Sequence, residues 1–271
     1  MSNELGAFLR ARRADAALEP THGTTGRRRV TGLRREEVAA LSGISVDYVT
    51  RLEQGRETNP SDAVLDALAR VLRLAPDAVD HLYALRGNGA AGGRPRSGHD
   101  ADVVGRMDAL VAAVRPHPAY VLDRLSTMVA GNEEGLALFD GLADLPPERR
   151  NTCRYLLTHP RARDVFLDWE DVARGAVAHL RAANAHDLDD PQLQRLVTEL
   201  SEESSHFAEW WAGHLVERRR SAAQRIRTTA GDVTHRYEVL HLPEDRLRMT
   251  LWLPAADPPS TRAGGVGSAG A

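Results

Sequence analysis

Lysine is absent from this chain of 271 residues, so all 35 basic side chains are arginine. That bias points to a GC-rich bacterial genome rather than to a functional choice. Cysteine occurs once, at Cys153, which excludes an intrachain disulfide and suits a reducing cytoplasm. No apolar run approaches the roughly 18 residues of a membrane span. The opening MSNELGAFLRARRADA lacks the uninterrupted apolar core of a secretory signal. Aromatic residues are scarce, 5% against 42% hydrophobic overall, which favours Leu/Val/Ala helix packing over an all-β sandwich. GxSxG, Walker and GxGxxG patterns are missing, as is any internal repeat.

What is present is unevenly distributed. The net charge of −3 argues, by itself, against a nucleic-acid binder. Yet residues 1–98 carry 15 Arg and 12 acids, whereas 99–271 carry 20 Arg and 26 acids. RRRVTGLRR, residues 27–35, holds five arginines and no acid. A basic block on a basic N-terminal segment, followed by an acidic remainder, suits a small DNA-facing module tethered to something else. The length suits two domains. The Gly/Ala/Pro/Ser stretch at 87–102 reads as a flexible linker, and 256–271 as a disordered tail. The expected domains are therefore 1–86 and 103–255.

The first domain reads as five helices. Leu5, Phe8 and Leu9 mark the first; the second covers about 34–41 with Val38 and Leu41 inward. Ser45 can cap the third, Ser61 the fourth (Val64, Leu65, Leu68, Leu72), and Pro76 starts a fifth that Gly87 ends. The second and third satisfy the demands of a helix-turn-helix. Ala39 lets the helices cross closely, Gly43 supplies the turn, and Val49 seats the second helix on the first. Asp47, Thr50, Arg51 and Gln54 then share the outward face. An outward arginine can bond O6 and N7 of guanine in the major groove. The spacing alone leaves open a plain helical hairpin with a solvated Arg51.

In the second domain, 119–125 and 127–132 look like short strands, followed by a helix near 133–140. Trp169, Val172, Ala173, Ala176, Val177 and Leu180 line one helical face, and Asp190–Pro191 can start a further helix. Strands return at 224–229, 235–242 and 248–253, with turns at Gly231–Asp232 and Glu244–Asp245. This is an α+β layout with one antiparallel sheet. Catalytic and metal signals are weak. His206 and His214 sit two turns apart on one expected helix, too far to share a metal. Ser204, Ser205 and His206 are sequence neighbours that point apart on a helix. Cys153 and His159 lack zinc spacing. No enzyme activity, metal or cofactor is expected.

LRREEVAALSGISVDYVTRLEQGRETNPSDAVLDALARVL resembles the XRE class of helix-turn-helix, the five-helix lambda-repressor-like module of phage repressors. The resemblance implies that Val46, Asp47 and Arg51 face bases, with Thr50 beside them, and that Arg35 and Ser45 touch phosphate. Arg34 and Arg56 are further basic candidates beside this face. Glu53 in LEQG is implied to be a structural acid pairing with the first helix, where Arg13 is the candidate. Asp47 would either accept from cytosine or orient Arg51, and the second role is preferred. The loop before the second helix is longer than in phage repressors. Its Arg27, Arg28 and Arg29 would grip phosphate without specifying sequence, unless they are a solvated charge run.

HPAYVLDR, ERRN (148–151), DW (168–169), LSEESSHFAEWWAGHLVERR and HRYEVLHLP resemble the ligand-binding domain of MmyB-like regulators. That resemblance implies a PAS-like antiparallel sheet with inserted helices, and a pocket for a fatty acid or similar apolar carboxylate. Candidate walls are Tyr120, Leu122, Val129, Phe139, Tyr155, Phe166, Trp169, Phe207, Trp211 and Tyr237; for each, ordinary core is the competing role. Asn151 or Arg154 could meet an acid head group, and Asn132 is the one residue kept from the family's second-strand pattern. Trp and Asp of that strand are missing here, and Thr228–Thr229 replaces a His-Pro after the third strand. The chain thus reads as a cytoplasmic, homodimeric bacterial transcription regulator that binds a double-stranded DNA operator under control of a small apolar ligand. The alternative is a DNA-binding protein whose second domain only dimerises or contacts other proteins.

Overall fold

A computed structural model of the protein describes residues 4–16, 32–86, 100–228, 231–244 and 246–254. The expected linker and tail fall largely outside these residues, as do Arg27, Arg28, Arg29, Gly87, Thr229 and Asp245.

Five helices open the chain: α1 (Glu4–Asp15), α2 (Arg35–Ser42), α3 (Val46–Glu53), α4 (Asp62–Val71) and α5 (Pro76–Leu85). Their apolar stripes meet in one core of Leu5, Phe8, Leu9, Val38, Val49, Leu52, Leu65, Leu68 and Leu82. Gly43 ends α2 at φ +73°, a conformation that a side chain resists, and its N–H closes the helix on the Ala39 carbonyl at 3.0 Å. Ala39 is buried at the crossing. Ser45 caps α3, its Oγ accepting from the Tyr48 N–H at 3.1 Å. Gly32 returns the chain against the end of α1, where a Cβ would stand 2.4 Å from the Ala14 carbonyl oxygen.

Two expectations need correction here. Leu41 is 55% exposed instead of inward. The buried face of α2 centres between Val38 and Ala39, and Leu41 lies about 110° away from it at 100° per residue. Ser61 stands at the N-cap of α4 but its hydroxyl makes no capping bond; its carbonyl takes the first helical N–H groups instead.

A helix that the sequence reading did not foresee, α6 (Ala101–Ala113), starts inside the expected linker and leads into the second domain. There β1 (Ala119–Leu122), β2 (Met128–Gly131), β3 (Ala222–Thr228), β4 (Gly231–Leu242) and β5 (Leu247–Pro254) form a sheet in the order β2-β1-β5-β4-β3, every neighbour antiparallel. Gly231–Asp232, expected as a turn, belongs to β4 instead: Gly231 pairs with Thr228 and Asp232 with Arg227. Between β2 and β3 run α7 (Glu133–Ala137), a 3-10 turn (Pro147–Arg149), α8 (Thr152–Thr158), α9 (Ala162–Val165), α10 (Trp169–Ala183), α11 (Pro191–Glu203) and α12 (Ser205–Ala212). Side-chain caps start several of them: Asn132 for α7, Asn151 for α8, Asp190 for α11 and Ser204 for α12. Each such cap contributes about 1 kcal/mol.

Strand alternation splits the sheet residues between two cores. Tyr120, Leu122, Tyr237, Ile226 and Trp252 face the helices from α8 onward. Ala119, Val121, Ala130, Leu247 and Met249 pack on Met107 and Val111 of α6. Register slips between Val121 and Leu122, so Val129 is the extra residue of a β-bulge and joins the α6 side.

The two domains are in contact. On α10, Arg181 is 2% exposed and reaches Glu4 of α1 at 3.3 Å, while Arg12 donates to the Gly213 carbonyl at 2.6 Å. Asp77 at the start of α5 accepts from Arg218 N–H at 3.1 Å and from the Arg220 guanidinium at 2.6 Å.

Candidate functional site

The exposed face of α3 carries Val46 (40% exposed), Asp47, Thr50 and Arg51. Arg51 is held in place. Its Nη1 meets Asp47 Oδ2 at 2.8 Å, one helical turn away, and its guanidinium lies 5.4 Å from the Tyr48 ring centre. This ion pair is the contact that the orienting role of Asp47 requires. Tyr48, which sequence reading passed over, forms the other wall. The Thr50 hydroxyl donates to the Val46 carbonyl at 2.8 Å, so its remaining capacity is as an acceptor. Arg34 and Arg56 are exposed beside this face, Arg56 bonded to Gln54.

Beneath the face lies an ionic knot. Glu53 is 1% exposed and holds Arg13 Nε at 2.6 Å, as expected, but also Arg35 Nε at 2.7 Å. Arg10 donates to the Glu53 carbonyl. Arg35, expected on phosphate, is thus first a partner of Glu53, because the start of α2 crosses over the end of α3.

The candidate ligand-wall residues do not converge on one place. Tyr120, Phe139, Tyr155 and Phe166 pack ring on ring, with Phe139 5.3 Å from Tyr120, 5.4 Å from Tyr155 and 5.8 Å from Phe166. Tyr237 joins them through Trp252, whose Nε1 donates to the Tyr120 hydroxyl at 3.4 Å. Leu122 faces the same side, Val129 the opposite one. Trp169 belongs to a second cluster with His206 and Trp210, under the Arg163 guanidinium. Phe207 and Trp211 stack at 5.6 Å, and Arg181 covers Trp211 at 4.0 Å beside the five-helix domain. An open groove of about 510 Å³ runs along α11 past Pro191, Gln194, Arg195, Thr198 and Glu199, none of them a predicted wall.

The predicted polar candidates are occupied by the fold. Asn132 Oδ1 accepts from Ala119 and Gly135 N–H, while its Nδ2 donates to the Val111 and His117 carbonyls. Asn151 caps α8 and donates to the Leu125 carbonyl at 2.8 Å. Arg154 ties α8 to α11 through Glu203 at 2.6 Å and Glu199. The expected helix through both His206 and His214 ends at Ala212: His206 packs between Trp169 and Trp210, and His214 sits 3.9 Å from Glu4. Burial pushes the Cys153 thiol up to about 12, leaving it a poor nucleophile. Among the described residues no cluster could hold a metal ion, and no helix is long and apolar enough to cross a membrane.

What sequence reading missed is a polar patch on the inner face of the sheet. Arg248 on β5 is 6% exposed and donates to the Asp123 carbonyl and the Ser126 hydroxyl, both at 2.8 Å. Burial lowers it to about 10. His179 on α10, 3% exposed, accepts the Arg219 N–H on Nδ1 at 3.0 Å, and its Nε2 has no hydrogen-bond partner. Burial keeps this imidazole neutral, well below its ordinary range, and the charges of Arg248 and Arg219 add to that. A signal existed for Arg248: it falls in phase with the inward Thr250 and Trp252 along RLRMTLWL.

Family comparison agrees with this geometry. Residues 4–82 match a helix-turn-helix domain, and residues 103–264 match the MmyB-like transcription regulator ligand binding domain. No curated protein matches the chain. With a helix-turn-helix presenting an oriented arginine and a ligand-binding domain covering most of the remainder, the chain belongs to the MmyB-like DNA-binding transcription regulators.

Proposed function

We propose that the protein reads a double-stranded operator through α3 and that an apolar acid bound in the second domain adjusts that reading. The observation that carries the first half is Arg51, exposed on the outward face of α3 and aimed by Asp47 and Tyr48. A guanidinium fixed in this way loses little freedom on bonding guanine O6 and N7. Val46 stands next to it to meet a thymine methyl, while Ser45 and Arg34 lie where the helix start approaches phosphate. Arg27, Arg28 and Arg29 add grip that is indifferent to sequence. One recognition helix covers a half-site, so two copies on a two-fold operator follow. Such a regulator works in the cytoplasm, where the chromosome is.

Control by ligand has a physical route. Arg218 and Arg220 hold Asp77 of the DNA module, and Arg219 between them bonds His179 inside the second domain. A ligand that favours one arrangement of this stretch over another shifts DNA affinity by the difference, and by no more. The test is selection of bound sequences from random duplexes, followed by affinity for the selected site with and without laurate. A two-fold symmetric site whose affinity changes with laurate supports the proposal. Selection of no common sequence would refute operator reading; a site indifferent to every apolar acid would leave the second domain as a dimerisation or protein-contact platform.

A further inference from the structure

We propose that the contact between the two domains is an acid-opened latch, in which proton uptake by His81 and His214 releases the five-helix domain from the second domain. Neither the operator nor the ligand proposed above is needed for it. The contact stands out by what it leaves unpaired. Nε of Arg12, both ring nitrogens of His81, Nε of Arg181 and Nδ1 of His214 are buried without a hydrogen-bond partner. They come from both sides: α1 and α5 of the first domain, α10 and the segment after α12 of the second. Each costs desolvation that no bond returns. His214 is also held at φ +50°, a left-handed backbone that side chains resist. The bonds that close the contact are polar. Arg181 reaches Glu4 at 3.3 Å, Arg12 reaches the Gly213 carbonyl at 2.6 Å, and Arg218 and Arg220 hold Asp77. A polar contact of this kind parts more readily than an apolar one.

The two imidazoles face mostly cations. His81 feels Arg12 of α1, Arg181 of α10, His186 and His214. His214 feels Arg10, Arg12 and Arg181, with the Glu4 carboxylate 3.9 Å from its Nδ1. The acids nearby are already engaged. Glu4 meets Arg181 and Asp15 meets Arg12, while Asp77 and Asp80, on the same helix as His81, meet Arg220 and Arg218. The closed contact therefore refuses further positive charge. Burial, reinforced by these arginines, lowers His81 to about 3 and His214 to about 4. Once the domains part, both rings reach water and return towards the ordinary 6.5. The closed form binds fewer protons, so closure is complete above about pH 6.5 and weakens as pH falls below it. Between about pH 7.5 and 5.5 each imidazole should raise the opening constant about tenfold, and the two together about a hundredfold.

Two neighbouring amides report on the latch. Arg218 N–H bonds Asp77 across the domains, whereas Arg219 N–H bonds His179 within the second domain. Amide-resolved hydrogen exchange of the full-length protein by NMR, corrected for the intrinsic exchange rate, reads the opening constant at each amide at about pH 7.5 and 5.5. At Arg218 it should rise about a hundredfold on acidification, and at Arg219 by less than about threefold. His81→Leu and His214→Asn should each leave a rise of about tenfold at Arg218, and the double variant one below about threefold. Asparagine suits the left-handed backbone at that position. If the double variant does not fold, the two single variants decide. A rise below about threefold at Arg218 of the wild type overturns the latch, because the imidazoles then gain no proton on opening. An equal rise at Arg218 and Arg219 also overturns it, since the second domain itself would then be opening. So does a rise that survives undiminished in both single variants.

Discussion

Replacing Glu53 by Gln should separate the scaffold of the DNA module from its reading face. The carboxylate is 1% exposed and holds Arg13 at 2.6 Å and Arg35 at 2.7 Å. Glutamine keeps the shape but removes the charge and turns one donor toward a guanidinium. Breaking a buried pair costs about 3–5 kcal/mol because the partner charge is stranded. Here the Arg35 side chain is 41% exposed and recovers water, so its arm is worth about 0.5–1 kcal/mol at most. The Arg13 side chain is only 19% exposed and carries most of the loss. The expected destabilisation is about 2–4 kcal/mol. All four tryptophans, Trp169, Trp210, Trp211 and Trp252, lie in the second domain. Urea unfolding followed by helix circular dichroism should therefore show an early transition that tryptophan fluorescence does not. A shift below about 0.5 kcal/mol in both probes would refute the view that Glu53 ties α1, α2 and α3 together.

The remaining predictions concern pH, domain coupling and electrostatic grip. His81 is 2% exposed, neither ring nitrogen has a hydrogen-bond partner, and burial lowers it to about 3. Because the unfolded chain takes up a proton that the folded one refuses, stability is complete above about pH 6.5 and falls as pH drops toward 3. At pH 5 this one group should cost about 2 kcal/mol of stability relative to pH 8; His81→Leu should remove that part of the slope in urea midpoints, and an unchanged slope would contradict the assignment. Asp77→Ala removes the acceptor for Arg218 N–H and Arg220. It should leave laurate affinity within threefold but abolish the effect of laurate on DNA affinity, measured by fluorescence anisotropy; a preserved effect would exclude this route. Arg27, Arg28 and Arg29 replaced together by Ala should weaken specific and random DNA alike and lower the slope of log affinity against log salt by up to about 3. Loss confined to the specific site would make them readers instead.

The DNA module was legible to a degree that the second domain was not, and the reasons are physical. Helix pairs joined by a turn leave short-range marks: Ala39 at the crossing, Gly43 in the left-handed region, Ser45 as a cap and Val49 on the core all follow from local spacing. Even the Arg13–Glu53 pair was anticipated, through the family resemblance. Leu41 misled because eight residues give a narrow apolar stripe, and an exposed leucine looks the same in sequence as a buried one. In the second domain the sheet was recovered from alternation, but α6 went unread: it starts at the last two residues of the expected linker and runs on to Ala113 in a stretch to which no element was assigned. A pocket depends on contacts between residues far apart in sequence. Composition marked Tyr155, Phe166 and Trp211 as apolar, and nothing local distinguished core from wall. Arg154 looked available because its partners, Glu199 and Glu203, lie some 45 residues or more away. Arg248 was overlooked as one charge among many, although its phase along β5 pointed inward.

Affinity of Arg51→Ala for the selected operator and for random duplex, measured side by side at one salt concentration, tests the central claim most directly. The Asp47–Arg51 pair is exposed, so its loss should change stability by less than about 0.5 kcal/mol and leave the module folded. On the operator the variant should lose about 1–3 kcal/mol and relax preference at one base pair per half-site, while random DNA loses only one charge contact. An equal loss on both duplexes would contradict the account, because Arg51 would then grip DNA without reading it.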